Sequence, residues 1–248
     1  MMTKLFGPTF LCLSLLYASP TYSEYLSGFG ATSANFIIPS EGTRERSPYV
    51  DLALVSVHGG ANFDWGEIVG AIGVYYVDKD SDRWTNFTKG HLAYKTGLGE
   101  SRWYAFRHTI DGPGFSIDDT AFGMSYNFSG DGWFLKPWTG ALLSTVNQLS
   151  DSFTGFNGGI AGYTAGYTFE LHGEDFRIVN WSETEFGRRQ TYTDTFAETS
   201  KASLNGALSI WWLTNSELSM AIQYRYIYND VLLPVNTNAM IYTIQYHF

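Results

Sequence analysis

The stretch NAMIYTIQYHF, residues 238–248, alternates between bulky apolar side chains and mostly polar ones. Every second position is bulky and apolar: Met240, Tyr242, Ile244, Tyr246 and Phe248. Successive side chains of a strand point to opposite faces, so this period of two predicts a β-strand with one apolar face. The run closes on an aromatic residue, whereas the last residues of a domain are more often polar and loosely held. We therefore expect this strand to lie against an apolar surrounding.

The first 23 residues have the layout of a secretory signal peptide. Lys4 supplies a positive start, residues 5–18 form an apolar run, and Thr21 and Ser23 are small residues at the −3 and −1 positions before Glu24. The run is short for a membrane-spanning helix, and the two prolines in the segment argue against a buried helix. We predict cleavage after Ser23, which leaves residues 24–248 as one domain.

Composition narrows the class of the mature chain. The only cysteine, Cys12, lies in the predicted signal peptide, so no disulfide or thiolate metal site is expected, nor any cofactor. Lys4 is the only charged residue of that peptide, so its removal changes the formal charge from −9 to −10, which argues against nucleic acid as a partner. Trp, Tyr, Phe and Gly are abundant, which is typical of β-structure.

Alternation and turn residues predict an antiparallel transmembrane β-barrel of twelve strands in the outer membrane of a Gram-negative bacterium. The predicted strands are 29–38, 48–57, 65–77, 87–98, 101–109, 117–128, 134–145, 157–168, 175–186, 203–213, 217–228 and 238–248. An even number is what single-chain bacterial barrels require. A barrel of eight or ten strands and a soluble β-sandwich are the alternatives.

The connections between these strands alternate in length. Short, turn-like connections such as 129–133 follow the even strands, and longer polar ones, notably 146–156 and 187–202, follow several odd strands. Short periplasmic turns and long outer loops are usual in such barrels, so we expect both termini in the periplasm.

The last strand has an expected role in assembly. Tyr242, Ile244, Tyr246 and Phe248 would form its lipid face, and the strand must pair with the first to close the barrel. An aromatic end with this alternation resembles the signal that the outer-membrane insertion machinery reads. The expected partners are therefore that machinery, outer-membrane lipid and lipopolysaccharide.

Alternation also predicts which side chains face the lumen. On strand 101–109, Tyr104 and Phe106 are expected on lipid and Trp103 inside. The inward charged residues are predicted to be Asp51, Glu67, Lys89, Lys95, Arg107, Arg177, Glu183, Glu185 and Arg225. One interpretation is that these charges pair across the barrel and hold its shape.

The other interpretation is a site for a solute. The residues predicted to bind it are Trp103, Arg107, Trp181, Glu183, Trp211, Gln223 and Arg225. Aromatic faces beside hydrogen-bonding groups suit a flat, polar, uncharged solute such as a nucleoside, held weakly enough for release.

Several stretches resemble a known family. NWSETEFGR (180–188), NGALSIWW (205–212), AIQYRY (221–226), NAMIYTIQYHF (238–248) and, more faintly, FDWGE (63–67) resemble the nucleoside-specific channel-forming Tsx-like family, in particular its OmpK branch. The resemblance implies a narrow, monomeric, twelve-stranded outer-membrane channel that passes nucleosides by passive diffusion and can serve as a bacteriophage receptor.

Two other classes of function stay open. A surface receptor or adhesin with a plugged lumen would use loop 187–202 as its working surface. A barrel enzyme would need a nucleophile with a compact His and Asn or Asp context, and none of the five histidines has one in sequence. The sequence therefore favours a channel over a receptor, and both over an enzyme.

Overall fold

A computed structural model describes residues 23–149, 151–230 and 233–248. The predicted signal peptide lies outside these ranges except for Ser23, so its cleavage stays a prediction. Among the described residues, the strands are β1 (Tyr25–Pro39), β2 (Leu52–Phe63), β3 (Gly66–Tyr75), β4 (Thr85–Lys95), β5 (Ser101–Gly112), β6 (Phe115–Tyr126), β7 (Phe128–Gly130), β8 (Trp133–Gln148), β9 (Asp151–Leu171), β10 (Glu174–Phe186), β11 (Leu204–Leu213), β12 (Leu218–Asp230) and β13 (Leu233–His247).

The sheet closes on itself. β1 pairs with both β2 and β13, and β6 pairs with both β5 and β8, all antiparallel. The three-residue β7 pairs with the beginning of β8 and continues the line of β6 beyond Asn127, so the two form one barrel strand. The result is the predicted closed barrel of twelve antiparallel strands. Closure leaves no sheet edge and satisfies the backbone without water.

The outer face is apolar, as the alternation predicted. On β13 and its end, Tyr242, Ile244, Tyr246 and Phe248 point outward and are between 46% and 74% exposed to a surrounding that lipid would occupy. The Phe248 backbone N–H donates to the Gly30 carbonyl of β1 at 3.0 Å. The facing of these four residues is confirmed, while their role as an assembly signal stays a prediction.

The two ends of the barrel differ. The longer connections lie at one end, here called the loop end, and the opposite end, where residues 23 and 248 lie, is the terminal end. Connection 40–51 carries α1 (Glu41–Arg46), 76–84 carries a single 3₁₀ turn (Ser81–Arg83), and 187–203 carries α2 (Gln190–Thr195). No helix in the described part of the chain is long and apolar enough to cross a membrane.

The predicted loop 146–156 is wrong, because β8 continues through it to Gln148 and pairs there with Asp151, where β9 begins. Val146 on β8 is only 1% exposed, and Phe153 on β9 packs against the same apolar cluster. Both residues face inward, where they cover α2. The strands therefore extend because their inner faces have a helix to bury.

The α2 segment folds into the barrel rather than away from it. Tyr192 and Phe196 are 6% exposed and pack with Ile110, Ile117 and Val146 on the inner wall. The Tyr192 ring meets the Phe153 ring edge-on, with centroids 5.2 Å apart. Burial, together with nearby carboxylates, raises the pKa of the Tyr192 phenol. Connection 187–203 therefore narrows the lumen instead of forming an outer surface.

A β-bulge on β9 anchors the first residues of connection 187–203. The register with β8 shifts between Ala141 and Leu143, and Gly158 has a φ of +85°. A Cβ at Gly158 would lie 2.3 Å from the Phe186 carbonyl oxygen, so this backbone approach requires glycine. The bulge turns Asn157 inward, where its Oδ1 accepts from the Arg189 backbone N–H at 3.1 Å.

Candidate channel lumen

A cavity of about 620 Å³ occupies the loop-end half of the lumen. Its wall is made by strands on both sides of the β1–β13 seam, together with β3, β4, β5, β10 and β11. The lining residues are Asn35, Ile37, Pro39, Pro48, Tyr49, Val50, Leu52, Leu54, Tyr75, Tyr76, Thr85, Phe87, Lys89, His108, Ile110, Phe115, Gln148, Trp181, Glu183, Asn205, Gln223, Arg225, Ile227, Thr237, Asn238, Ala239 and Ile241. The cavity wall is apolar around the mouth and polar at mid-lumen.

The polar floor of the cavity is built around Trp181. The Lys89 Nζ lies 5.1 Å from the centroid of the Trp181 ring, and the Arg225 Cζ lies 4.8 Å from it. Both distances are within the range of cation–π attraction. Glu183, two residues along β10, accepts from Lys89 at 3.1 Å and from the Asn205 amide at 3.4 Å. Period-two alternation explains this grouping, because Trp181 and Glu183 share the inner face of β10.

The prediction for β10 is confirmed. Trp181 and Glu183 line the cavity, and Ile178 is 40% exposed on the outer face. Asn180 also faces outward, where its Oδ1 accepts from the Tyr163 hydroxyl and its Nδ2 donates to the Ala207 carbonyl at 2.9 Å. Its polar groups are thus satisfied on the lipid side.

Gln223 and Arg225 occupy the inner face of β12, as predicted, and both line the cavity. Within the described residues, Arg225 has no hydrogen-bond or ion-pair partner, and its buried Nε is unsatisfied. Asn205 Oδ1 and Thr237 Oγ1, also on residues that line the cavity, are unsatisfied too. Unsatisfied polar atoms are uncommon in folded proteins and therefore indicate groups that a water or a solute completes.

The upper wall offers flat apolar surfaces. Phe87 on β4 and Tyr75 on β3 lie with ring centroids 5.3 Å apart, and Ile37, Leu54 and Ile241 lie around the same space. An apolar wall with a few convergent polar groups is the usual composition of a small-molecule site. Sequence reasoning missed Phe87 and Tyr75, although the alternation of their strands carries the signal.

The connection between β1 and β2 bends over the cavity mouth. Thr43 in α1 donates its hydroxyl to the Asn238 carbonyl at 3.0 Å and accepts from the Asn238 N–H at 2.8 Å. Pro48, Tyr49 and Val50 then line the mouth. α1 is therefore tied to β13 across the seam of the barrel.

Asp51 was predicted to face the lumen, and this prediction is wrong. β2 begins at Leu52, so Asp51 lies in the connection, where it accepts from Arg44 at 2.5 Å. The inner face of β2 carries Leu52 and Leu54, and both line the cavity. The strand begins four residues later than predicted because the preceding residues belong to the connection that lines the cavity mouth.

Trp103 and Arg107 were also predicted inside, and the structure places both on the outer face of β5. Trp103 is 59% exposed, and Arg107 pairs with Asp118 of β6 through two bonds of 3.0 and 2.7 Å. The residues predicted on lipid, Tyr104 and Phe106, instead point inward. The physical reason is that the lumen is filled on this side, so the inner wall must also be apolar.

The inward residues of β5 pack against the neighbouring walls. Phe106 is 4% exposed and clusters with Leu142 and Ile160, and Tyr104 stacks on Trp138 with centroids 5.1 Å apart. This wall and α2 fill one side of the barrel and leave the cavity on the other.

A buried network holds the α2 connection, and its residues Arg188, Glu185, Glu198 and Asn229 are here called the Arg188 latch. The Arg188 side chain is 1% exposed and donates to Glu185 at 2.7 Å, to Glu198, and to the Asn229 carbonyl at 2.9 Å. Asn229 in turn donates to the Ser200 and Ala202 carbonyls. Glu185, predicted to face the lumen, does so within this latch. Sequence reasoning missed Arg188, since it lies in a predicted outer loop.

A second charged cluster lies in the terminal-end half. Glu67, 6% exposed, faces inward as predicted and accepts from Lys136 at 3.0 Å, with Arg102 and His91 each at 3.5 Å. Lys136 and Arg102 were not predicted. Lys136 alternates with Trp138 and Leu142 on β8, which is the sequence signal that could have located it.

Three further predicted lumen residues lie outside the cavity, toward the terminal end. Trp211 faces inward and donates its Nε1 to Ser209 at 3.0 Å. Arg177 donates to the Thr168 hydroxyl at 3.0 Å, and Lys95, exposed at the rim, donates to the Asp64 carbonyl at 2.9 Å. The structure therefore brings together Trp181, Glu183, Gln223, Arg225 and Lys89, and separates these three from them.

A closed barrel with an apolar outer wall and a solute-sized cavity in a polar lumen defines an outer-membrane channel. The family described as nucleoside-specific channel-forming protein, Tsx, matches residues 42–248, and the chain belongs to this family. This membership confirms the family resemblance seen in the sequence, while the OmpK branch stays a prediction. The protein is accordingly an outer-membrane channel of a Gram-negative bacterium.

One solved structure shares the fold, and two others match more weakly. A NanC porin superposes with a TM-score of 0.52 at 7% sequence identity, over 87% of this chain and 98% of that chain. The β-domain of the Bordetella autotransporter BrkA (TM-score 0.42, 12% identity, 89% of this chain and 99% of that chain) and the outer membrane channel DcaP of Acinetobacter baumannii (0.41, 10%, 94% and 99%) also match. At 7% identity the likeness to the NanC porin concerns the fold alone.

Proposed function

We propose that this channel passes nucleosides by passive diffusion and that they pause in the loop-end cavity. The observation that carries the proposal is the meeting of the Phe87–Tyr75 wall with the floor of Trp181, Glu183 and Arg225 in one space of about 620 Å³. That volume is within the range of ~300–1,000 Å³ typical of small-molecule sites. Family membership supports the same class of solute.

The two parts of the cavity suit the two parts of a nucleoside. The apolar rings can contact the face of a base, and the amides and charged groups of the floor can hydrogen-bond a ribose. The Trp181 ring has two cations within about 5 Å, so it acts by holding Arg225 in place rather than by stacking a base itself. Each contact is weak enough to allow release, which conduction requires.

Trp181→Ala is expected to reduce the preference for a nucleoside over a sugar of similar size by about tenfold, because it releases Arg225 and opens the floor. The measurement is uptake of labelled adenosine and labelled glucose by liposomes that contain the purified channel. Trp103→Ala is the matched control, since the same change on the lipid face should leave the preference unchanged. Equal uptake of adenosine and glucose by the wild type would refute the proposal.

Three finer predictions from the sequence remain proposals. The loop end faces the cell exterior, the barrel is a monomer inserted through its last strand, and phage attachment, where it occurs, uses the loop end. Since α2 packs inside the barrel, connections 40–51 and 76–84 would offer the surface that a phage can reach. Labelling of intact cells at Asp80 but not at Asp131 would support the orientation, and the reverse pattern would overturn it.

A further inference from the structure

One section of the barrel rises above β10 at the loop end. β10 ends at Phe186, which pairs with Gly159 of β9, so the first residues of β9 extend beyond it. These residues pair with the end of β8, which pairs in turn with β6, and β6 with β5. The loop-end parts of these four strands, residues 107–112, 115–120, 144–148 and 151–155, are here called the raised wall.

The outward side chains on the strands of the raised wall are all polar. They are Arg107, Thr109, Asp111, Ser116, Asp118, Thr120, Thr145, Asn147, Ser152 and Thr154. Asn147 donates its amide to the Ser116 hydroxyl at 3.1 Å. Arg107 and Asp118 form an ion pair whose side chains are 59% and 38% exposed. Exposed charges are costly on a lipid-facing wall, so this composition does not suit contact with hydrocarbon.

The inner face of the raised wall is apolar and already covered. Ile110, Ile117 and Val146 pack there with Tyr192 and Phe196 of the α2 segment. A sheet with one face on an apolar core and a polar face opposite is typical of a wall in water. The part of a channel wall that crosses a membrane has the reverse arrangement, with its apolar face outward. The raised wall therefore belongs above the hydrocarbon of the membrane.

The outward polarity changes at one row of paired residues. Arg107, Thr120, Leu143 and Phe156 are successive partners across β5, β6, β8 and β9. Leu143 and Phe156 are 44% and 47% exposed on the outer face, and Phe122, two residues below Thr120, is 56% exposed. This row therefore marks the upper limit of the lipid-facing surface on this side of the barrel.

We propose that the raised wall stands above the outer leaflet and binds the core saccharide of lipopolysaccharide. The inference rests on the proposed orientation, with the loop end outward, and does not depend on which solute the channel passes. In that orientation the wall continues the lipid-facing surface upward, so it lies in the sugar layer directly above the acyl chains. Its hydroxyl, amide and carboxylate groups are donors and acceptors that sugar hydroxyls can pair with.

The charge of the raised wall favours the sugars over the phosphate groups of lipopolysaccharide. Its outward side chains include two carboxylates, Asp111 and Asp118, against the single arginine Arg107. Asp118 already accepts two bonds from Arg107, of 3.0 and 2.7 Å. The wall therefore offers hydrogen bonds to neutral groups and no surplus of positive charge to a phosphate.

The height of the wall is tested with single cysteines on the outer face of β8. Thr145→Cys and Ala141→Cys lie four residues apart, about 13 Å along the strand. In phospholipid vesicles, Thr145→Cys should react with a membrane-impermeant maleimide about tenfold faster or more, because the reactive thiolate forms in water and not in hydrocarbon. The wild type supplies the background, since Cys12 is the only cysteine and lies in the predicted signal peptide. Equal, slow reaction at both positions would place the wall in lipid and overturn the proposal.

The partner is tested by changing the lipid around the same variants. Vesicles that contain lipopolysaccharide with its complete core saccharide should slow the reaction of Thr145→Cys and Thr154→Cys about tenfold relative to vesicles that contain lipid A alone. Asp80→Cys is the matched control, because Asp80 is exposed at the loop end but lies in connection 76–84, off the wall. Adding Asn147→Ala to Thr154→Cys should restore much of the rate, because it removes an amide that the saccharide would bind.

The outcomes separate a bound saccharide from its rivals. Equal slowing at Asp80→Cys and Thr145→Cys would mean that the sugar layer only crowds the loop end, and would overturn the proposal. Protection of Thr145→Cys in phospholipid alone, with disulfide-linked pairs of chains on oxidation, would assign the wall to a second copy instead. The ratio of the two rates does not depend on which way the channel inserts, because both residues lie at the loop end. Labelling of Asp80 in intact cells tests the orientation separately.

Discussion

Arg188→Ala is expected to raise the single-channel conductance and to reduce discrimination between nucleosides and sugars. The change removes the centre of the Arg188 latch and leaves Glu198, whose side chain is 0% exposed, without its buried cation. Removing one partner of a buried ion pair costs about 3 kcal/mol or more. That amount is large for a single connection between two strands, so the segment should detach from the lumen and widen it.

Single-channel recording in planar bilayers measures this effect. Arg189→Ala is the matched control, because Arg189 is the next residue but is exposed, and its guanidinium lies over Phe156 on the barrel's outer side. Tyr192→Ala attacks the same segment through its apolar contacts and should also raise the conductance. Conductance at the wild-type value in both Arg188→Ala and Tyr192→Ala would show that α2 does not limit the width of the lumen.

Glu67→Ala is expected to destabilise the folded barrel by about 3 kcal/mol, with Lys136 and Arg102 left facing each other. Glu67 is buried at the meeting point of β3, β5 and β8, strands from different parts of the wall. Its loss therefore turns an attraction across the lumen into a repulsion. Urea unfolding in lipid vesicles, followed by tryptophan fluorescence, measures the change.

Asp51→Ala supplies the comparison for Glu67→Ala. The Arg44–Asp51 pair is also short, at 2.5 Å, but both side chains are 40% or more exposed. Exposed pairs contribute about 0–1 kcal/mol, so this variant should unfold close to the wild type. Equal effects of the two variants would mean that the Glu67 cluster does not hold the wall.

The strand pattern could be predicted from the sequence because the membrane imposes it. Lipid requires apolar side chains at every second position, so each of the twelve predicted strands overlaps an observed one. The same alternation correctly predicts Lys89, Glu183, Gln223 and Arg225 on the inner face. It worked where the two faces of a strand differ in polarity.

The prediction failed where both faces are apolar. On β5, Tyr104 and Phe106 pack on the filled side of the lumen, so alternation gave no contrast, and Arg107 was placed inside although Asp118 neutralises it outside. The filling itself depends on α2, and a polar connection gives no sign that it folds inward. Arg188 was missed for that reason, since its partners lie as far along the chain as Asn229.

The proposed function requires that a nucleoside rests in the loop-end cavity while it crosses the barrel. Single-channel recording of the wild type in the presence of rising adenosine tests it most directly, because an occupied cavity blocks the ion current. We expect a saturable fall in current with adenosine and little change with glucose at the same concentrations. A current that both solutes leave unchanged, or that both lower equally, would contradict the proposed pause in the cavity.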